Sequence, residues 1–322
     1  MKAGIDTGCV YLRLQSANRR VVAAQVRCQR PQVAQLLKGR QADAVVSLLP
    51  SVFALCGRAQ GTAARLAVAA ARGAESAPIL VPEIVNEAMR EHLWRCLLDL
   101  PVLFALPPLR NEFLIAVQRV DKDQGEGLLE LLANPEVNRL LVMVEALEQP
   151  LAGEPALLCV HSARASLAVW EQLGAEMGGA PTWHGQAAET GAYARRGSQA
   201  TPVGGAFAER WLARLAELEL WATGRLNVGA GGTASAATVA PGIGRALVET
   251  ARGLLMHEVV LENDRIADYR IVAPTEWNFH PQGALPGWLV GKCHSDDDEL
   301  RSYAAHAVAA LDPCVRWELI MA

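Results

Sequence analysis

Two cysteines sit where their neighbours suit a working thiolate. Cys314 follows Asp312-Pro313 at the end of a helical run from Glu299 to Ala310. Proline disfavours helical geometry in the residue before it, so the chain is predicted to turn at Asp312 and present one carboxylate and one thiol at a corner. Cys56 is followed by Gly57 and then by an Ala-rich helix predicted to start near Thr62. Glycine lets the backbone pass close to whatever the sulfur holds, and the positive end of a helix favours the ionised form. A thiolate in such a setting is a nucleophile or a soft metal ligand.

The other chemistry-bearing residues are sparser. The seven cysteines fall at 9, 28, 56, 96, 159, 293 and 314, an odd count with no Cys-x-x-Cys spacing. That argues against a disulfide framework or a structural zinc site. His92 and Cys96 are four apart on one helix, and Cys293-His294 are adjacent in a loop. Neither pair brings a third ligand, so neither makes a metal site. Trp183-His184 lies in a loop-rich stretch with no assigned role, and Asp296-Asp297-Asp298 suits the positive end of the last helix.

The 322 residues are long enough to bury a sizeable core, and 51% apolar with 20% charged residues describes an ordinary globular chain. A net charge of −4 with both signs interspersed gives no nucleic-acid surface. Apolar runs are broken short of a membrane span, and the N-terminus carries no signal-peptide core, so a cytoplasmic location is expected. Positions 10–26 alternate as two strands around Ser16–Arg19, and 258–272 alternate as a hairpin around Glu262–Arg265. Pro82–Leu100 reads as a helix with Val85, Met89, Leu93 and Leu97 on one stripe. Further helices are predicted at 127–133, 135–148, 156–177 and 206–222. The glycine-rich 224–244 segment suits either a flexible linker or close backbone passage inside a site, and the second is the reading adopted.

Several motifs resemble those of nickel-iron hydrogenase large subunits. Glu249-Thr250-Ala251-Arg252-Gly253-Leu254-Leu255-Met256-His257 matches Glu-x-Pro-Arg-Gly-x-Leu-x-His with the proline changed. Pro274-Thr275-Glu276-Trp277-Asn278 matches Pro-Thr-x-Trp-Asn, and Asp312-Pro313-Cys314 opens the family's Asp-Pro-Cys-x-x-Cys-x-x-His. Cys56-Gly57 stands for the first half of Cys-Gly-x-Cys, with Ala59 at the second cysteine and Ala63 at the histidine that follows. Trp317 and Ile320 replace the later cysteine and histidine of the C-terminal motif. Gln15 stands for the glutamate of Arg-Ile-Glu-Gly that serves proton transfer; an amide keeps the shape but cannot ionise.

The resemblance implies a single domain over 1–322, α/β and mainly helical, a truncated large-subunit fold with small antiparallel β elements. It implies that Cys56 and Cys314 meet in one buried site, with Arg252, Asp312, Gln15 and His257 around them. In the family the first cysteine of each motif binds nickel alone and the second bridges to iron. Two thiolates cannot hold the bridged pair, so the chain is expected to be no hydrogenase and to take no nickel. The pattern looks like the accessory maturation proteins of the HupK/HoxV type. Their association with assembly of the Fe(CN)2(CO) unit implies a transient iron fragment held by Cys56 and Cys314. Arg252 would then face the cyanide nitrogens, for which a planar guanidinium is suited. The retained cysteines correspond to nickel-only positions, so such a fragment would sit displaced from its place in the mature enzyme. The implied partners are the hydrogenase large subunit precursor and small cofactor-assembly chaperones. The opposing reading is a metal-free adaptor that mimics the large subunit and recruits the same factors.

Overall fold

A computed structural model describes residues 8–30, 33–53, 55–74, 76–147, 156–157, 180–196, 206–226 and 233–322. The chain opens with β1 (Cys9–Ala17) and β2 (Arg20–Gln29), then α1 (Ala42–Val52), α2 (Gly57–Ala71) and β3 (Ser76–Ile79). A helical series follows: α3 (Pro82–Trp94), α4 (Leu100–Leu103), α5 (Arg110–Asp121), α6 (Gly125–Leu132) and α7 (Pro135–Glu145). Next come β4 (Ala156–Leu157), β5 (Ala188–Glu189), α8 (Ala192–Arg196) and α9 (Ala206–Ala222). The last third is β6 (Ala234–Ala240), β7 (Ile243–Thr250), β8 (Gly253–Glu262), β9 (Arg265–Val272), α10 (Pro274–Asn278), α11 (Ala284–Leu289), α12 (Asp297–Leu311) and β10 (Arg316–Met321).

Both predicted hairpins form, each on a two-residue turn whose residues take positive φ: Asn18-Arg19 and Asn263-Asp264. They belong to different sheets. β1–β2 is completed by β10, which runs parallel to β1 with Cys9 opposite Arg316 and Leu14 opposite Met321. β8–β9 lies at one edge of a five-stranded sheet ordered β3-β6-β7-β8-β9. Each hairpin therefore gains the extra strands that a lone two-stranded ribbon needs.

From position 234 the glycine-rich stretch forms β6 and the start of β7, both packed on α2. A Cβ on Gly244 would stand 2.0 Å from the Ala67 carbonyl oxygen and 2.3 Å from the Ala71 nitrogen. Close passage is thus what glycine permits there, against a helix backbone. The alanines of α2 (Ala59, Ala63, Ala64, Ala67, Ala70) are buried for the same reason: small side chains let the sheet approach.

The stripe read on Pro82–Leu100 is buried as expected, but the α-helix stops at Trp94. Residues Arg95–Asp99 wind as a π-helical turn before α4 begins. The extra residue in that turn swings the following helix and turns Arg95 toward Asp312. The helix read over 156–177 lies outside the described residues except for Ala156–Leu157, which pair as a strand with Ala188–Glu189.

Candidate functional site

α12 ends on Asp312, whose φ of 54° and ψ of 72° put it in the left-handed region. A non-glycine residue held there ahead of proline is strained, and surrounding contacts must hold it. Asp312 is 3% exposed. Its Oδ1 accepts from Arg252 Nε at 3.1 Å, and Arg95 Nε lies 2.6 Å from the same oxygen. Arg214 Nε stands 4.0 Å from Oδ2. Burial opposes the charge on Asp312, but Arg252, Arg95 and Arg214 hold its carboxyl well below the usual carboxylate range. Arg95 also donates to the Pro313 carbonyl at 2.9 Å, so the corner is clamped through side chain and backbone alike.

Past that corner, the Cys314 sulfur meets two donors. Arg30 Nη1 donates to its Sγ at 3.3 Å, and Thr275 Oγ1 lies 3.0 Å from the same sulfur. The Cys314 N–H donates to Thr275 Oγ1 at 3.2 Å, which leaves the hydroxyl proton for the sulfur. Burial works against ionisation, yet Arg30, Arg252 and Thr275 outweigh it and lower the Cys314 thiol from its ordinary value. Of the two sulfurs, Cys314 is the one whose ionisation its surroundings favour.

Cys56 is the N-terminal flanking residue of α2, which begins at Gly57, five residues before the predicted start. The early start is possible because Glu87 on α3 caps it, accepting from the Arg58 N–H at 2.8 Å and the Ala59 N–H at 3.1 Å. Gly57 makes a close approach, but to the Pro50 carbonyl of α1, 2.6 Å from where a Cβ would stand. Burial, and then the charge on Cys314, push the Cys56 thiol up to about 12. Gln60 Nε2 donates to its sulfur at 3.7 Å.

Both sulfurs line one cavity of about 550 Å³. Its walls come from the end of α1 (Val52, Phe53), from Val102 and Leu103, and from Val308 and Trp317, with Arg30, Arg95 and Asp99 supplying charge. The two cysteines that the sequence assigns to one site thus line the same cavity. Among the described residues no group of three or more His, Cys, Asp or Glu side chains is placed to hold a metal ion. The two cysteines are the soft donors available here, and the cavity leaves room for ligands that arrive with a metal.

The other predicted residues separate. Arg252 is buried behind Asp312, with Nη2 donating to Glu91 at 2.8 Å, and it is not among the residues lining the large cavity. Arg30, which the sequence did not single out, takes the place beside the sulfur. Gln15 is exposed on β1, because alternation sends Leu12 and Leu14 into the core and its own side chain outward. The expectation that it joins the site is corrected accordingly. His257 is fully buried on β8, two hydrogen bonds from Cys56 by way of Gln60. His92 bonds Glu217 at 2.8 Å inside an ion cluster with Arg195, and Cys96 is buried in the π turn. His184 is exposed with positive φ, and Cys293 is exposed opposite Arg20.

A family model described as nickel-dependent hydrogenase matches residues 200–315. The chain is 32% identical over 351 residues to the hydrogenase expression/formation protein HoxV of Cupriavidus necator, covering 89% of this chain and 90% of that one. The chain belongs to the HoxV/HupK family of hydrogenase expression/formation proteins. HupK of Rhizobium leguminosarum is 31% identical over 362 residues, covering 98% of this chain and 97% of its own. Among solved structures, the Ni-Fe-Se hydrogenase from D. vulgaris Hildenborough in the reduced state aligns with a TM-score of 0.59 at 13% identity, over 93% of this chain and 94% of that chain. An NAD+-reducing [NiFe]-hydrogenase aligns with a TM-score of 0.60 at 15% identity, again over 93% and 94%. The fold of this HoxV/HupK member is thus that of the nickel-iron hydrogenase large subunit, α/β and mainly helical. No helix among its described residues is long and apolar enough to cross a membrane.

Proposed function

We propose that this protein is a non-catalytic carrier for the Fe(CN)2(CO) fragment during assembly of a nickel-iron hydrogenase. The fragment is cargo, held by Cys56 and Cys314. One observation carries the reading: two cysteines 258 positions apart line one cavity, and Arg30 donates to the sulfur of the second, where its charge and that of Arg252 favour ionisation. A sulfur whose ionisation is favoured gives up its proton more readily to a soft metal. Arg30 lines the same space and offers its guanidinium to cyanide nitrogens, the role first read for Arg252. Arg252 acts from behind, through its charge on Cys314 and its bond to Asp312. A hydrogenase large subunit precursor and small assembly chaperones are the partners such cargo requires. Work of this kind fits a cytoplasmic protein.

Infrared spectroscopy on anaerobically purified protein tests the reading. Bands in the cyanide and carbonyl region are expected for the wild type. They are expected to vanish in Cys56→Ala and in Cys314→Ala, with the fold intact, because truncating a thiol removes little volume. If both variants support hydrogenase maturation at full yield, the metal-free adaptor is the better account.

A further inference from the structure

Behind Cys56 lies a buried chain of polar side chains with no part in the packing of the cavity. Tyr269 on β9 places its hydroxyl 2.7 Å from His257 Nδ1, and His257 Nε2 lies 2.9 Å from Gln60 Oε1. Gln60 Nε2 reaches Cys56 Sγ at 3.7 Å. Gln60, His257 and Tyr269 are 1%, 0% and 3% exposed, so water does not compete for these bonds.

The direction of the chain follows from counting protons. The hydrogen bond recorded for the Tyr269 hydroxyl among the described residues is the one to His257. If the imidazole donated to it, the phenol proton would be buried without an acceptor, at a cost of about 1–3 kcal/mol. Tyr269 therefore donates to Nδ1, and the imidazole carries its proton on Nε2. Burial keeps the ring neutral, with its pKa pushed down to about 3. Nε2–H then donates to the Gln60 carbonyl oxygen, which leaves the amide nitrogen facing the sulfur.

We infer that Tyr269, His257 and Gln60 are positioning residues that fix Cys56 as a hydrogen-bond acceptor, the state a sulfur takes when it ligates a metal. The inference deepens the carrier reading and rests on it for its purpose, though the relay itself needs no iron. A rotated amide would turn every bond around, and Cys56 would donate its own proton to Gln60, which stabilises the thiol. The relay holds the amide against that rotation from two residues away.

The test uses the full chain without metal under anaerobic conditions. Iodoacetamide alkylation of Cys56 is followed against pH by peptide mass mapping, which separates it from Cys314 and the exposed Cys293. Cys314, Arg252 and Arg30 also act on Cys56 and stay in place throughout. Gln60→Leu is expected to slow Cys56 alkylation about tenfold at a given pH, and Tyr269→Phe about threefold, since it frees the amide to turn. Nitrogen NMR should find His257 protonated on Nε2 in the wild type and in mixed tautomers in Tyr269→Phe. A wild-type alkylation rate at fixed pH in both variants, or a wild-type ring protonated on Nδ1, overturns the relay. Infrared detection of iron decides the carrier reading alone, so the two stand or fall separately.

Discussion

At the scale of single residues the site is a matter of which charge faces which sulfur. Arg30 touches Cys314 directly, while Arg252 spends Nε on Asp312 and Nη2 on Glu91. Removing the charge of Arg30 while keeping its donors, in Arg30→Gln, should raise the pH midpoint of Cys314 alkylation by about one unit or more. A midpoint that stays put would assign the thiolate to Arg252 and Thr275 instead. Cys56, Cys314, Arg252 and Asp312 were legible in the sequence because each lies in a short motif with its neighbours fixed. Arg30 and Arg95 were not, since a lone arginine at a strand end or on a helix carries no local pattern. Thr275 sat inside a recognised motif, and its bond to Cys314 appears only once residues 275 and 314 are brought together by the fold.

At the scale of elements, the site depends on helices and strands that come closer than ordinary side chains allow. β7 crosses α2 at Gly244, where a Cβ would collide with backbone that cannot rotate away. Gly244→Ala should therefore cost about 1–3 kcal/mol, by forcing the sheet off the helix that begins just after Cys56. Urea unfolding measures this, and a midpoint equal to wild type would mean the sheet slides without cost. Both hairpins were readable from alternation and turn residues, which are local signals. The π turn was not: Arg95–Asp99 has the composition of any helix, and the stripe through Leu97 runs unbroken across it. β10 was missed for a related reason. Arg316–Met321 alternates, but its partner is β1 at the far end of the sequence, and parallel pairing leaves no turn to announce it.

At the scale of the whole molecule, the cavity is walled by residues from Arg30 to Trp317, so its shape depends on the packing of the chain as a unit. Buried histidines make that packing sensitive to mild acid. Burial lowers His257 to about 3 and His306 to about 4, against the ordinary 6.5 of an unfolded chain. Between those values the unfolded state binds protons that the folded state refuses. Stability is then whole above pH 6.5 and falls as the pH drops toward the folded values, by up to about 1.4 kcal/mol per pH unit for each histidine. Asp312 works in the same direction but in a lower pH window. Its folded pKa is depressed, so its contribution persists down to the ordinary carboxylate range and is lost only below it. Unfolding between pH 7 and pH 5 lies above the Asp312 window and reports the histidines, His280 among them, against Glu87 and Glu276, whose carboxyls burial raises. The urea midpoint of the wild type should fall across that interval. His306→Gln should show a shallower fall whatever its midpoint at pH 7, because a residue that cannot be protonated contributes no slope. An equal slope in the two proteins would show that His306 takes up its proton in the folded state, through an opening of the packing between α4 and α12 that admits water to the ring.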